Sequence, residues 1–150
     1  MKKNNKGFSL VELIVVIAIM AVLVGVLAPA LLRYVEKSRI QKDASAVAEV
    51  SNAIVIAMSE EDVFKNTPTG STVEIDGDAG TITVTATSGG TASYLQDVLD
   101  VTVKEVKFSS GDADDVTLTI TVSDGVVTVA GTTTATGDAW KTAIVDAAKK

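Results

Sequence analysis

Apolar and polar positions divide this chain into three regimes. From Phe8 to Leu32 almost every position is apolar, and residues 13 to 32 (LIVVIAIMAVLVGVLAPALL) carry no charge. At about 1.5 Å per residue, a helix of that length spans roughly 30 Å, the thickness of a bilayer's hydrocarbon core. Arg33 opens the second regime, where the apolar positions become one-sided. Ala44, Val47, Ala48, Ile54, Val55 and Met58 recur near i, i+3, i+4 spacing. Arg39, Lys42, Asp43 and Glu49 are expected on the other faces. The two regimes predict one helix from about Phe8 to Glu60, roughly 80 Å long. Glu60-Glu61-Asp62 reads as its solvated end, and Thr67-Pro68-Thr69-Gly70 terminates the pattern.

After Gly70 the period switches to two. Thr81 to Thr85 (TITVT), Val101 to Phe108 (VTVKEVKF) and Val116 to Val122 (VTLTITV) alternate, and Val126 to Val129 follows the turn signal Ser123-Asp124-Gly125. Threonine on the outward face suits a half-exposed antiparallel sheet. Ala92 to Leu99 predicts a short helix with Tyr94, Leu95, Val98 and Leu99 at its apolar positions. Asp138 to Lys149 predicts another, capped by Asp138 or Gly137, with Trp140, Ala143, Ile144 and Ala147 packing on the sheet. The fold class expected is α+β: a long N-terminal helix, a small antiparallel sheet of about four strands and a short C-terminal helix.

Charge gives the apolar run a direction. Lys2, Lys3 and Lys6 put +3 on the first six residues; the rest of the 150-residue chain carries ten basic and nineteen acidic side chains, or −9. By the positive-inside rule the N-terminus is cytoplasmic and the body lies outside. An acidic body argues against nucleic acid as a partner. The chain has neither cysteine nor histidine. That removes disulfides, thiol chemistry, thiolate metal sites and the commonest general base, and it lowers the prospect of an enzyme. A cleaved secretory signal is a poor alternative, although Ala28-Pro29-Ala30 offers a site. The apolar run is too long, and helical patterning continues beyond it.

Glu12 is the anomaly. A carboxylate in an apolar span is costly, and no Lys, Arg or His lies within the run to offset it. If the chain were cut after Gly7, Phe8 would carry a new α-amino group four residues from Glu12, on the same helical face. That amine could also reach Glu12 of a neighbouring copy. The helix macrodipole favours an anion at this end as well.

Lys6-Gly7-Phe8-Ser9-Leu10-Val11-Glu12, followed by about twenty apolar residues, resembles the N-terminal signature of type IV prepilins, a class III signal shared with type II secretion pseudopilins and competence pilins. The resemblance implies that a membrane-embedded prepilin peptidase cuts the Gly7-Phe8 bond and methylates Phe8. It also implies that Glu12 docks the incoming subunit on a growing filament. Further partners implied are copies of the same chain, an assembly platform protein with its ATPase, and the cytoplasmic membrane before assembly. The expected organisation is a leader at 1–7, a transmembrane and filament-core segment at 8–32, an amphipathic helical half at 33–60 and a globular head at 61–150. Many pilins bracket a C-terminal loop with two cysteines; this chain cannot, and a C-terminal helix anchored by Trp140 is the expected substitute.

Two further features carry expectations. Pro29 lacks an N–H and crowds the carbonyl of Gly25, itself a poor helix residue. The stretch from about Val22 to Pro29 is therefore the part easiest to kink, and it is expected to melt only in a filament. Asp112, Asp114 and Asp115, with Asp76-Gly77-Asp78, are weak calcium candidates without the EF-hand pattern, more simply read as solvated turns. No catalytic residue and no cofactor is expected. The function expected is a structural pilus subunit, the major pilin by first choice. The alternatives are a pseudopilin or competence pilin and, from a different class, a monomeric membrane-anchored binding domain.

Overall fold

The computed structural model describes residues 9–87, 91, 93–103, 106–111, 113–123 and 126–149. The chain divides into two compact units, Met1–Glu36 and Lys37–Lys150. Helix α1 (Leu10–Ala57) begins in the first and ends in the second. In the first unit α1 passes Gly25 and Pro29 as an uninterrupted helix. All its described positions up to Val35 are exposed. It is the one described helix long and apolar enough to cross a membrane.

In the second unit α1 buries a stripe formed by Asp43, Val47, Val50, Ser51, Ala53, Ile54 and Ala57. Its end tightens: the Met58 N–H still donates to the carbonyl four residues back, but those of Ser59 and Glu60 donate to carbonyls three back. A second helix follows at once, α2 (Glu61–Asn66), whose exposed Glu61 and Lys65 form an ion pair and whose Val63 is buried. Glu60-Glu61-Asp62 is therefore solvated as expected, yet it starts a new helix.

The sheet has four strands, β1 (Thr72–Ile75), β2 (Ile82–Thr85), β3 (Val116–Ser123) and β4 (Val126–Thr133). Their order is β2-β1-β3-β4, with every pair antiparallel. Register follows burial. Val73 lies opposite Val84 on one side and Leu118 on the other, and Ile120 lies opposite Val129. These inward side chains join the α1 stripe in one apolar core. Helices α3 (Ser93–Thr102) and α4 (Asp138–Ala148) complete it through Leu95 and Leu99, and through Trp140, Ile144 and Ala148. Gly137 occupies the N-cap of α4, without a side-chain cap bond.

No strand forms among the described residues of the Val101 to Phe108 stretch, and Lys104 and Glu105 lie outside them. Leu95 and Leu99 bury one helical turn apart, and the Val103 N–H still donates to the Leu99 carbonyl, so the helix takes Val101 and Thr102. Val101 is then 81% exposed. Beyond it, the Val106 and Phe108 N–H groups donate to the carbonyls of Gly80 and Gly77 (3.3 and 3.2 Å), lining a turn and not a ladder. The fourth strand is β1, whose TVEI alternation is too short to stand out beside the Thr/Pro/Gly stop before it. The turn residues Asp124 and Gly125, and Ala92 at the expected start of α3, lie outside the described residues.

Candidate functional site

Two sets of residues stand apart from ordinary core and surface. The first is the start of α1. The Ser9 N–H donates to Glu12 Oε2 (2.9 Å), and the Ser9 carbonyl accepts from the Leu13 N–H (3.2 Å). Ser9 is thus the N-cap and Glu12 the third helical residue, whose side chain reaches back to the cap. That is the glutamate half of a capping box, for which Ser9-x-x-Glu12 is the sequence signature. Glu12 also lies in the first turn, where the macrodipole favours an anion. The S-x-x-E spacing could have revealed this local role from sequence.

Around Glu12 the helix presents apolar side chains on all sides without a packing partner among the described residues, with Leu10 72%, Leu13 60% and Ile17 56% exposed. Such a surface is stable in water only when something apolar covers it. Gly7 and Phe8 lie outside the described residues. Gly25 has open space where a Cβ would be, so packing does not require glycine there in the single chain.

The second set surrounds Asp43. This side chain was expected on an outer face of α1, but it is fully buried. Its spacing to Val47, Val50 and Ile54 (i+4, i+7, i+11) puts it on the apolar stripe, and only its polarity suggested otherwise. Oδ1 accepts from the Ser109 N–H (2.8 Å) and the Ser109 hydroxyl (3.1 Å). Oδ2 accepts from the Ser110 N–H (3.0 Å) and from Trp140 Nε1 (3.0 Å). Four donors from a loop and from α4 satisfy a carboxylate that would be very costly to bury without them.

Phe108 extends this latch, stacking edge-on against Trp140 with ring centroids 5.3 Å apart. Gly77 makes room for it: a Cβ there would lie 2.3 Å from Phe108 Cδ2. Trp140 thus anchors the C-terminal helix, as expected of it, and its polar partner on α1 is the part that sequence did not reveal.

The acidic turns are already in use. Asp114 accepts from the Asp115 N–H (2.9 Å) and the Thr134 hydroxyl (2.9 Å), and Asp115 from the Gly77 N–H (3.2 Å). They border a cavity of about 190 Å³ together with Asp78. Asp76 Oδ1 closes its own turn by accepting from the N–H groups of Asp78 and Ala79. Asp112 lies outside the described residues, and among those described no three acidic side chains form a metal-holding group.

Residues 2–28 match the model of the prokaryotic N-terminal methylation motif, the class III signal peptide of type IV pilins and pseudopilins. Neither a curated protein nor a solved structure matches the chain. The motif supports a type IV pilin-like or pseudopilin protein, and the long N-terminal helix, four-stranded antiparallel sheet and short C-terminal helix make a pilin-like α+β architecture.

Proposed function

We propose that this chain is the major structural subunit of a type IV pilus. The observation that carries the proposal is the combination at its N-terminus. A methylation motif at residues 2–28 leads into a helix exposed and apolar all round, with one carboxylate in its first turn. In this reading the subunit waits in the cytoplasmic membrane with residues 1–7 inside and the head outside. Prepilin peptidase cuts the Gly7-Phe8 bond and methylates the new amine. The apolar helix then exchanges lipid for neighbouring helices as the assembly platform and its ATPase drive polymerisation.

Glu12 acquires a more exact role on this reading. Its Oε2 is held by the Ser9 N–H, which survives cleavage because Ser9 lies beyond the cut bond. The carboxylate is therefore fixed in direction, and Oε1 remains for a cation. The Phe8 ammonium, its own or a neighbour's, is the cation that processing creates. Gly25 and Pro29 supply the weak point at which α1 unwinds during packing. The boundaries proposed are 1–7 for the leader, 8–32 for the filament core, 33–60 for the amphipathic half and 61–150 for the head.

Mass spectrometry of sheared surface filaments tests the proposal. Filaments composed mainly of this chain and beginning with N-methyl-Phe8 are expected. An intact Met1 in such filaments would overturn the processing step. A processed chain found only in membranes beside a secretion apparatus would favour the pseudopilin.

A further inference from the structure

Charge marks the outer end of the apolar run. The ten residues from Arg33 to Lys42 (RYVEKSRIQK) carry four basic side chains and one acidic, or +3. Residues 43 to 150 carry six basic and seventeen acidic side chains, or −11. From Glu12 to Arg33 is twenty-one positions, roughly 31 Å of helix. With Glu12 at one edge of a hydrocarbon core, Arg33 therefore stands at the other.

Arg33 and Tyr34 form the rim of a hollow of about 420 Å³, whose other lining residues are Val26, Pro29 and Ala30. Their spacing (i, i+3, i+4, i+7, i+8) puts all five on one face of α1. Pro29 and Ala30 are short, and they lie between Val26 and the two long side chains, so the floor of the hollow is low. Tyr34 is 72% exposed. Arg33 is exposed too, and its side chain makes no hydrogen bond or ion pair among the described residues.

Each part of this face fits one kind of group. A guanidinium takes a phosphate through paired N–H donors. A tyrosine ring is at home at headgroup level. The low apolar floor, on the membrane side of Arg33, has room for a hydrocarbon chain and none of the polar partners that a headgroup needs.

We propose that this face of α1 binds one anionic phospholipid of the outer leaflet of the cytoplasmic membrane. The phosphate lies on Arg33, and an acyl chain runs over Ala30 and Pro29 toward Val26. Charge selects the anionic class, because the +3 stretch draws in a net negative headgroup more strongly than one that carries its own cation. The acidic body of a second copy is the other source of anions. Its carboxylates would have to enter the apolar side of Arg33, where a charge is costly, whereas an acyl chain belongs there. A neighbouring helix that packs over Pro29 and Ala30 must displace the lipid, so assembly releases it. The leaflet and the release rest on the function proposed above; the lipid contact does not.

Native mass spectrometry of the full-length chain in detergent micelles tests the site, with dioctanoyl phosphatidylglycerol as the probe and dioctanoyl phosphatidylcholine beside it. Retention of one phosphatidylglycerol, about tenfold tighter than phosphatidylcholine, is expected. Arg33→Gln should abolish that preference. Ala30→Leu fills the hollow, keeps every charge and should weaken phosphatidylglycerol about tenfold. Lys141→Gln makes the same charge change at an exposed position of α4 and should bind as the unaltered chain does. Glycerol phosphate, a headgroup without acyl chains, should not displace the lipid. Trp140 fluorescence checks that the head of each variant is folded.

Equal retention of the two lipids would overturn the site, as would undiminished retention by Arg33→Gln or Ala30→Leu, or displacement by glycerol phosphate. A lipid-free dimer of the chain that is lost in Arg33→Gln would assign the guanidinium to a second copy and overturn the site as well. Selective lipid retention by a chain that never enters filaments would support the site while removing the filament reading.

Discussion

The indole N–H of Trp140 donates to the carboxylate of Asp43 at 3.0 Å, across 97 residues of sequence. This bond ties the last helix of the chain to the first. Together with the Ser109 and Ser110 bonds to the same carboxylate, it cross-links three segments of a chain that has no cysteine to do so.

Asp43→Ala takes this acceptor from the buried Trp140 indole and from the half-buried Ser109 and Ser110 N–H groups. A buried donor so left costs about 1–3 kcal/mol and a half-buried one less, so the head should lose ~2 kcal/mol or more. Asp43→Asn preserves the shape but has one carbonyl oxygen in place of two, and should lose roughly half as much. Trp140 is the chain's sole tryptophan, so its fluorescence follows head unfolding directly in the detergent-solubilised full chain. Equal stability of all three proteins would show that the latch contributes nothing.

Gly77→Ala tests the support of that latch. Its new methyl would sit 2.3 Å from the Phe108 ring, and the ring cannot retreat without losing its edge contact to Trp140. Overpacking of this kind costs typically about 1–3 kcal/mol. A lowered unfolding midpoint together with a shifted Trp140 emission is expected.

Gly25→Ala provides the opposite case. The site is open in the single chain, and alanine should stabilise the helix by about 1 kcal/mol. If α1 must unwind before Pro29 during assembly, the same change should reduce filament yield while head unfolding stays as it was. Unchanged yield, measured on sheared material, would argue against unwinding at this stretch.

Gln96 of α3 closes the β2 edge, its Oε1 accepting from the Val84 N–H (2.8 Å) and its Nε2 donating to the Ile82 carbonyl (3.0 Å), and Gln96→Ala removes both bonds. A loss of about 1–3 kcal/mol is expected, with faster amide exchange at Val84. Retained protection at Val84 would mean that another group covers this edge.

Glu12→Val keeps the apolar span and leaves the leader intact. Membrane insertion and cleavage after Gly7 should proceed. Filament yield should fall by about tenfold or more, the equivalent of ~1.4 kcal/mol in subunit docking. The matched variant Ser9→Ala keeps the backbone N–H that Glu12 accepts from, and should assemble close to normally.

By itself the sequence determined the features that depend on local order. A basic leader, a glycine, a carboxylate at fixed offset and a long apolar run define the methylation motif. Periods of 3.6 and 2 located α1, α4, β2, β3, most of α3 and the first half of β4, because those elements bury a face set by spacing. The Val101 to Phe108 stretch failed for a physical reason. Its alternation competed with the helical spacing of Leu95 and Leu99, and only the core shows which one buries. Strand β1 gained its place from two neighbours that pair with it, not from its own four residues. Asp43 is the clearest division between the two. Spacing put it on the buried stripe, but a carboxylate is affordable there only because Ser109, Ser110 and Trp140 arrive from far along the chain with four donors.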